Sequence, residues 1–223
     1  MAATAAINPN QPAIKVDNKL LLTLAVMLGN IMQILDSTIA NVAIPHIQAG
    51  LGATIDTVTW VLTSYILATA IAIPITGWLA DRLGSRNLFL LSIAGFTLSS
   101  ILCATATSLE MLVFFRIIQG LSGAFVMPLS QTVMLDINAP KDHPKAMAIW
   151  GMGVMVAPIL GPIIGGYLTE YYSWEWIFLI NVPIGIITFA ILWSLLPSRP
   201  IVRRKFDMFG FGLFAIFIGS FQL

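Results

Sequence analysis

The chain has 223 residues, of which 58% are hydrophobic and 9% charged, and a formal net charge of +1. A soluble domain carries about 25% charged residues, so this composition is made for lipid. The basic residues are spread over several loops and form no patch for nucleic acid. Cys103 is the only cysteine, which excludes an intramolecular disulfide and a cysteine-cluster metal site.

Residues 1–19 are polar and Ala-rich and read as a cytoplasmic tail. The apolar run that follows is too long for a signal-peptide core, so it is read as a retained first span. A spanning helix needs about 20 largely apolar residues. That length predicts helices over 20–44, 57–80, 87–107, 110–135, 146–168 and 176–196. Together, 20–196 form an all-α, six-helix transmembrane domain. A cytoplasmic link over 197–206 and a partial seventh helix over 207–223 follow. Barrel strands would be about ten residues long and alternate in polarity; these runs do neither. Trp60, Trp78, Tyr171, Tyr172, Trp174 and Trp176 lie near helix ends, where amphipathic rings favour the interface. Pro45, Pro140, Pro144 and Pro197 are expected in loops, and Pro74, Pro128, Pro158, Pro162 and Pro183 inside helices.

The charges orient the chain. Lys15, Lys19, Arg82, Arg86, Lys141, Lys145, Arg199, Arg203, Arg204 and Lys205 all fall at every second gap. The other gaps carry Asp56, Glu110, Glu170 and Glu175. This positive-inside pattern places the N-terminus in the cytoplasm. Six spans also divide into two inverted groups of three, an arrangement found in one half of a twelve-helix transporter.

Two charges fall inside apolar runs, where a charge is costly and functional by default. Asp36 lies in the first helix, with Asn30, Gln33, Ser37 and Asn41 as a polar stripe expected to face a cavity. Arg116 lies in the fourth, about two turns below the outer surface. Burial penalises the charged form of a carboxylate unless a cation is close. Their similar depth predicts that Asp36 and Arg116 share one cavity and carry proton coupling; the rival reading is an ion pair that only locks two helices. Gln119, one turn after Arg116, is expected to orient it, and Gly120 to allow close packing. In the loop from Gly77 to Arg86, Gly77 is expected to permit close helix contact and Gly84 a tight turn. Asp81, Arg82 and Arg86 line the cytoplasmic rim as gating residues; for Arg86 a purely topological role is equally open. In the fifth helix, Gly161 and Gly165 form a small-residue pair, and Pro158 and Pro162 bend it. Trp60, Tyr65 and Met127 are candidate cavity residues, with plain packing the alternative. His46 and His143 fall in loops on opposite sides, no paired metal-ligand cluster is present, and no metal, cofactor or enzymatic chemistry is expected.

These segments together resemble the major facilitator superfamily. Gly77 to Arg86 is similar to its loop signature, Arg116 to Ala124 to its fourth-helix signature, and Ala157 to Gly166, including Pro158, Gly161, Pro162, Gly165 and Gly166, to the fifth-helix signature of drug–proton antiporters. Leu35 to Pro45 and Trp176 to Gly185 are similar to motifs of the fourteen-helix EmrB/QacA group. Ser85 and Ala157 depart from those patterns. The resemblance implies proton-coupled export of hydrophobic and cationic drugs across a bacterial inner membrane, by alternating access. It also implies a missing C-terminal half, a periplasmic adaptor and an outer-membrane channel as partners. The alternatives are a metabolite transporter on the same fold, or an inactive fragment or split subunit.

Overall fold

The computed structural model describes residues 10–198, 210–213, 217 and 220. Among them, six helices are long and apolar enough to cross a bilayer: Lys19–Leu51, Ile55–Leu83, Ser85–Ala104, Leu109–Asp136, Pro140–Tyr171 and Trp176–Leu195, here the first to sixth spans. This is a multi-pass, all-helical membrane protein. Most of the expected link and most of the expected seventh helix lie outside the described residues.

Local chemistry sets the ends. The Asn18 side chain accepts from the Leu21 N–H at 3.0 Å and caps the first span, and Ser108 does the same for the fourth through Met111. Gly52 ends the first span in the left-handed region at φ 63°. Gly84 joins the second and third spans at φ 85°, so the tight turn expected there does need glycine.

Prolines explain the interruptions. A helix-interior proline supplies no N–H and its ring crowds the carbonyl four residues earlier. The second span passes through a 3-10 turn at Ile73–Ile75, around Pro74. The fourth breaks after Gly123, ahead of Pro128, and the fifth after Val154, ahead of Pro158. The sixth breaks after Leu179, four residues before Pro183.

Several expectations are corrected. The first span runs through Pro45 and His46 to Leu51 instead of ending at 44. Pro45 supplies no N–H to the Asn41 carbonyl, and both residues are exposed. The fifth span starts at Pro140, and both Pro144 and His143 lie in the first turn of its helical segment His143–Val154 rather than in a loop. Trp174 is not an interfacial ring: it is buried and packs edge-on to Phe178. Gly77 makes no close contact, since an added Cβ would meet nothing within 4 Å.

The second span packs on the fourth, the fourth on the third, the third on the sixth, the sixth on the first and the first on the fifth. The first and fourth also touch. Exchanging first with fourth, second with fifth and third with sixth reproduces the same set of neighbours. That is the signature of two inverted triplets. Glycines bring the equivalent pairs close. A Cβ on Gly120 would lie 2.6 Å from the Tyr65 carbonyl oxygen in the second span, and one on Gly165 would lie 3.3 Å from the Ile39 Cα in the first.

Two apolar clusters fill the bundle. One holds Met32, Phe96, Val126 and Leu192; the other holds Ile39, Cys103, Leu112 and Phe178. Along the first, third, fourth and sixth spans, the chain passes from one cluster to the other. The polar side chains fall at those crossings.

Candidate functional site

Asp36 lies near the middle of the first span, about 26 Å of helix from Lys19 and about 22 Å from Leu51. Its side chain and that of Arg116 are both fully buried. The Arg116 Nη1 donates to Asp36 Oδ2 at 2.6 Å and to Gln119 Oε1 at 2.8 Å. Its Nε donates to the Val61 carbonyl at 3.2 Å. The guanidinium carbon sits 4.1 Å from the centroid of the Tyr65 ring and 5.6 Å from that of Phe178, within the range of cation–π attraction.

The other carboxylate oxygen is equally occupied. Asp36 Oδ1 accepts from Gln119 Nε2 at 3.0 Å and from Asn181 Nδ2 at 2.7 Å. Both amides also donate to Ser100 Oγ, at 3.0 and 2.9 Å, and Ser100 donates to the Phe178 carbonyl at 3.1 Å. The Cys103 thiol points at Gln119 Oε1 at 3.5 Å. Five spans thus meet in one buried layer: the first through Asp36, the second through Val61 and Tyr65, the third through Ser100 and Cys103, the fourth through Arg116 and Gln119, and the sixth through Asn181.

The expected pairing of Asp36 with Arg116 is present, and Gln119 does orient the guanidinium. The pair sits inside the helical bundle rather than on an open cavity wall. The polar stripe divides. Asn30 and Gln33 are buried, Ser37 is half-buried, and Asn41 is exposed. Tyr65 packs on Arg116; Trp60 is exposed and Met127 half-buried, and neither takes part in the network.

At the other sites, Arg86 Nη2 donates to the Trp193 carbonyl at 2.6 Å and its guanidinium lies over the Trp193 ring. The loop is thereby tied to the end of the sixth span. Arg82 lies over the Trp78 ring. Gly77, Asp81 and Ser85 line a cavity of about 700 Å³ together with Ile14 and Thr132, and the Ile14 N–H donates to the Asp136 carbonyl at 3.0 Å. In the fifth span, a Cβ on Gly161 would overlap the Thr38 hydroxyl, whereas Gly166 faces open space. Pro162 lies inside a continuous helix.

Sequence reasoning did not single out Asn181, Ser100 or Cys103 as site residues. For Asn181 a signal existed: it is the one amide in the sixth span, which has no ionisable residue.

Residues 26–221 match the sequence profile of the Major Facilitator Superfamily. The chain is 49% identical over 214 residues to the "Multidrug export protein EmrB" of Haemophilus influenzae, covering 95% of this chain and 42% of that protein. It is 48% identical over 203 residues to the "Probable multidrug resistance protein EmrY" of Escherichia coli, covering 90% and 40%. The chain therefore spans about two fifths of the length of these relatives. Among solved structures, the inward-open xylose transporter XylE from Escherichia coli aligns with a TM-score of 0.70 at 14% identity, covering 89% of this chain and 55% of that one.

Proposed function

The chain belongs to the Major Facilitator Superfamily, a family of transporters, and on that premise we propose that it is the N-terminal half of a proton-coupled multidrug efflux antiporter. The observation that carries this reading is the buried Asp36–Arg116 pair at mid-membrane depth. Intramembrane ionisable pairs mark ion and proton pathways, and the relatives named for multidrug export supply the cargo class.

The residues offer a route. Arg116, Gln119 and Asn181 all donate to Asp36. Arg116 is anchored to the second span through Val61 and Tyr65. Asp36 is carried by the span that packs on the fifth through Gly161 and Gly165. A shift between these two pairs of helices withdraws the cation from the carboxylate. The carboxylate, left in apolar surroundings, then takes a proton from the outer side and returns it to the cytoplasm when the pair re-forms. One proton exchanged per drug supplies about 1.4 kcal/mol per pH unit, and the membrane potential adds about 2.3 kcal/mol per 100 mV when the drug is uncharged but nothing when it carries one positive charge.

The same reading places the N-terminus and the Arg82–Arg86 loop in the cytoplasm and the protein in a bacterial inner membrane, with a periplasmic adaptor and an outer-membrane channel as partners. The test is drug uptake into everted membrane vesicles carrying the full native protein. Uptake is expected to follow an imposed acid-inside gradient and to collapse with a protonophore. Uptake indifferent to the gradient sinks the antiporter reading.

A further inference from the structure

The geometry points to Asn181 as the residue that follows the proton on Asp36, turning its amide end for end so that its carbonyl oxygen accepts the acid O–H. This rests on the antiporter reading of Asp36 and adds a second moving part to it. A carboxylate only accepts hydrogen bonds, and this one is surrounded by donors alone: Arg116 on Oδ2, Gln119 and Asn181 on Oδ1. A protonated Asp36 must donate as well as accept. As arranged here, no neighbour receives that proton, so protonation requires one neighbour to reverse.

Three neighbours are candidates, and two are locked. Arg116 has no acceptor atom. Gln119 has its Oε1 engaged by Arg116 Nη1 at 2.8 Å and by the Cys103 thiol at 3.5 Å, and turning it would set its NH2 against the guanidinium. Asn181 is different. Its Nδ2 faces Asp36 and Ser100, while its Oδ1 is buried and has no hydrogen-bond partner among the described residues. Turning the amide exchanges the two ends. One end lacks a partner before and after, and the proton decides which.

Ser100 makes the turn compatible with the rest of the layer. Its hydroxyl both accepts and donates. It now accepts from Asn181 and donates to the Phe178 carbonyl; after the turn it donates to Asn181 Oδ1 instead. The proton enters as H⁺ on a lone pair of Asp36 Oδ1, one O–H bond forms, and the charge of Asp36 goes from −1 to zero. With Arg116 withdrawn by the helix shift, Oδ2 is left as the carbonyl-type oxygen of the acid. The ionisable groups in the layer are Arg116 from the fourth span, Tyr65 from the second and Cys103 from the third. The sixth span has none, and the fifth keeps its own at its two ends, 141–145 and 167–171. Asn181 is a positioning residue in this scheme, since it neither carries the proton across nor binds the drug.

The experiment is infrared difference spectroscopy between neutral and acid pH on the full native protein in lipid, with asparagine labelled by ¹³C at the side-chain carbonyl. A protonated-carboxyl band absent from Asp36→Asn is expected, accompanied by a label-sensitive asparagine band that is also absent from Asp36→Asn. Asn181→Leu, close in size but without donor or acceptor, is expected to abolish the asparagine band and move the carboxyl band to higher wavenumber. If Asn181→Leu does not fold, the labelled wild type and Asp36→Asn decide alone. A carboxyl band with no label-sensitive partner, or one unmoved in Asn181→Leu, overturns the inference and leaves the antiporter reading standing. No Asp36 carboxyl band at any pH overturns both.

Discussion

Arg116 is the largest of the fully buried side chains, and its cost in an apolar bundle is offset by the bonds of its Nε and Nη1 and by the Tyr65 ring, while its Nη2 is buried with no hydrogen-bond partner among the described residues. Removing one member of a buried pair leaves the other uncompensated, at about 3–5 kcal/mol. Arg116→Leu and Asp36→Asn are therefore each expected to lower the thermal unfolding midpoint of the native protein. The double variant is expected to lose less than the sum, because neither strands a charge. Additive losses would mean that the two residues do not interact. This pair was legible in the sequence because charges are rare inside apolar runs and two at matching depth invite pairing. Ser100 was not, and Asn181 showed only as the single amide of its span. An uncharged polar residue in a membrane helix satisfies itself on its own backbone as readily, as Asn30 does on the Val26 carbonyl at 2.9 Å, and only the three-dimensional arrangement tells the two cases apart.

Between elements, the glycines differ sharply in what they do. At Gly120 a methyl group would press on backbone, the Tyr65 carbonyl at 2.6 Å. Gly120→Ala is expected to push the second span off the fourth, destabilise the protein by about 1–3 kcal/mol and loosen Tyr65 and Val61 from Arg116. Gly77→Ala meets open space within a helix and is expected to be neutral or stabilising by up to about 1 kcal/mol. Thermal unfolding of the two variants checks the contrast; equal effects would contradict the packing described. The sequence pattern signals small residues, but not which of them has a neighbour, so Gly161 and Gly165 were read correctly and Gly77 was not. The end of the first span was misread for a related reason. A helix-interior proline removes one hydrogen bond without having to end the helix, and the first span runs on through Pro45 as the fifth does through Pro162.

At the scale of the whole molecule, the charge pattern and span count were legible because bilayer thickness fixes span length. The two-fold exchange of neighbours was only suggested by the number six, and the packing supplies it. The fifth span leaves a row of apolar residues exposed: Met152, Met155, Ile159 and Ile163. Beside it, the polar stripe of the first span surfaces at Asn41, which suits a water-lined or protein-covered face better than lipid. On the proposed reading a C-terminal half covers this side, whereas Leu91 and Leu98 on the third span, equally exposed here, face lipid. A fluorophore at a cysteine replacing Ile159 should be shielded from brominated lipid in the full native protein, and one replacing Leu91 should be quenched. The reverse pattern would place the second half elsewhere.

The central claim is that Asp36 carries the exchanged proton. The measurement that tests it most directly is proton release on drug binding by the purified native protein in weak buffer, with and without Asp36→Asn. Release on the order of one proton per drug bound from the wild type, and none from an Asp36→Asn protein that still binds drug, is the predicted result. Undiminished release from Asp36→Asn would contradict the account and move the coupling site to another residue.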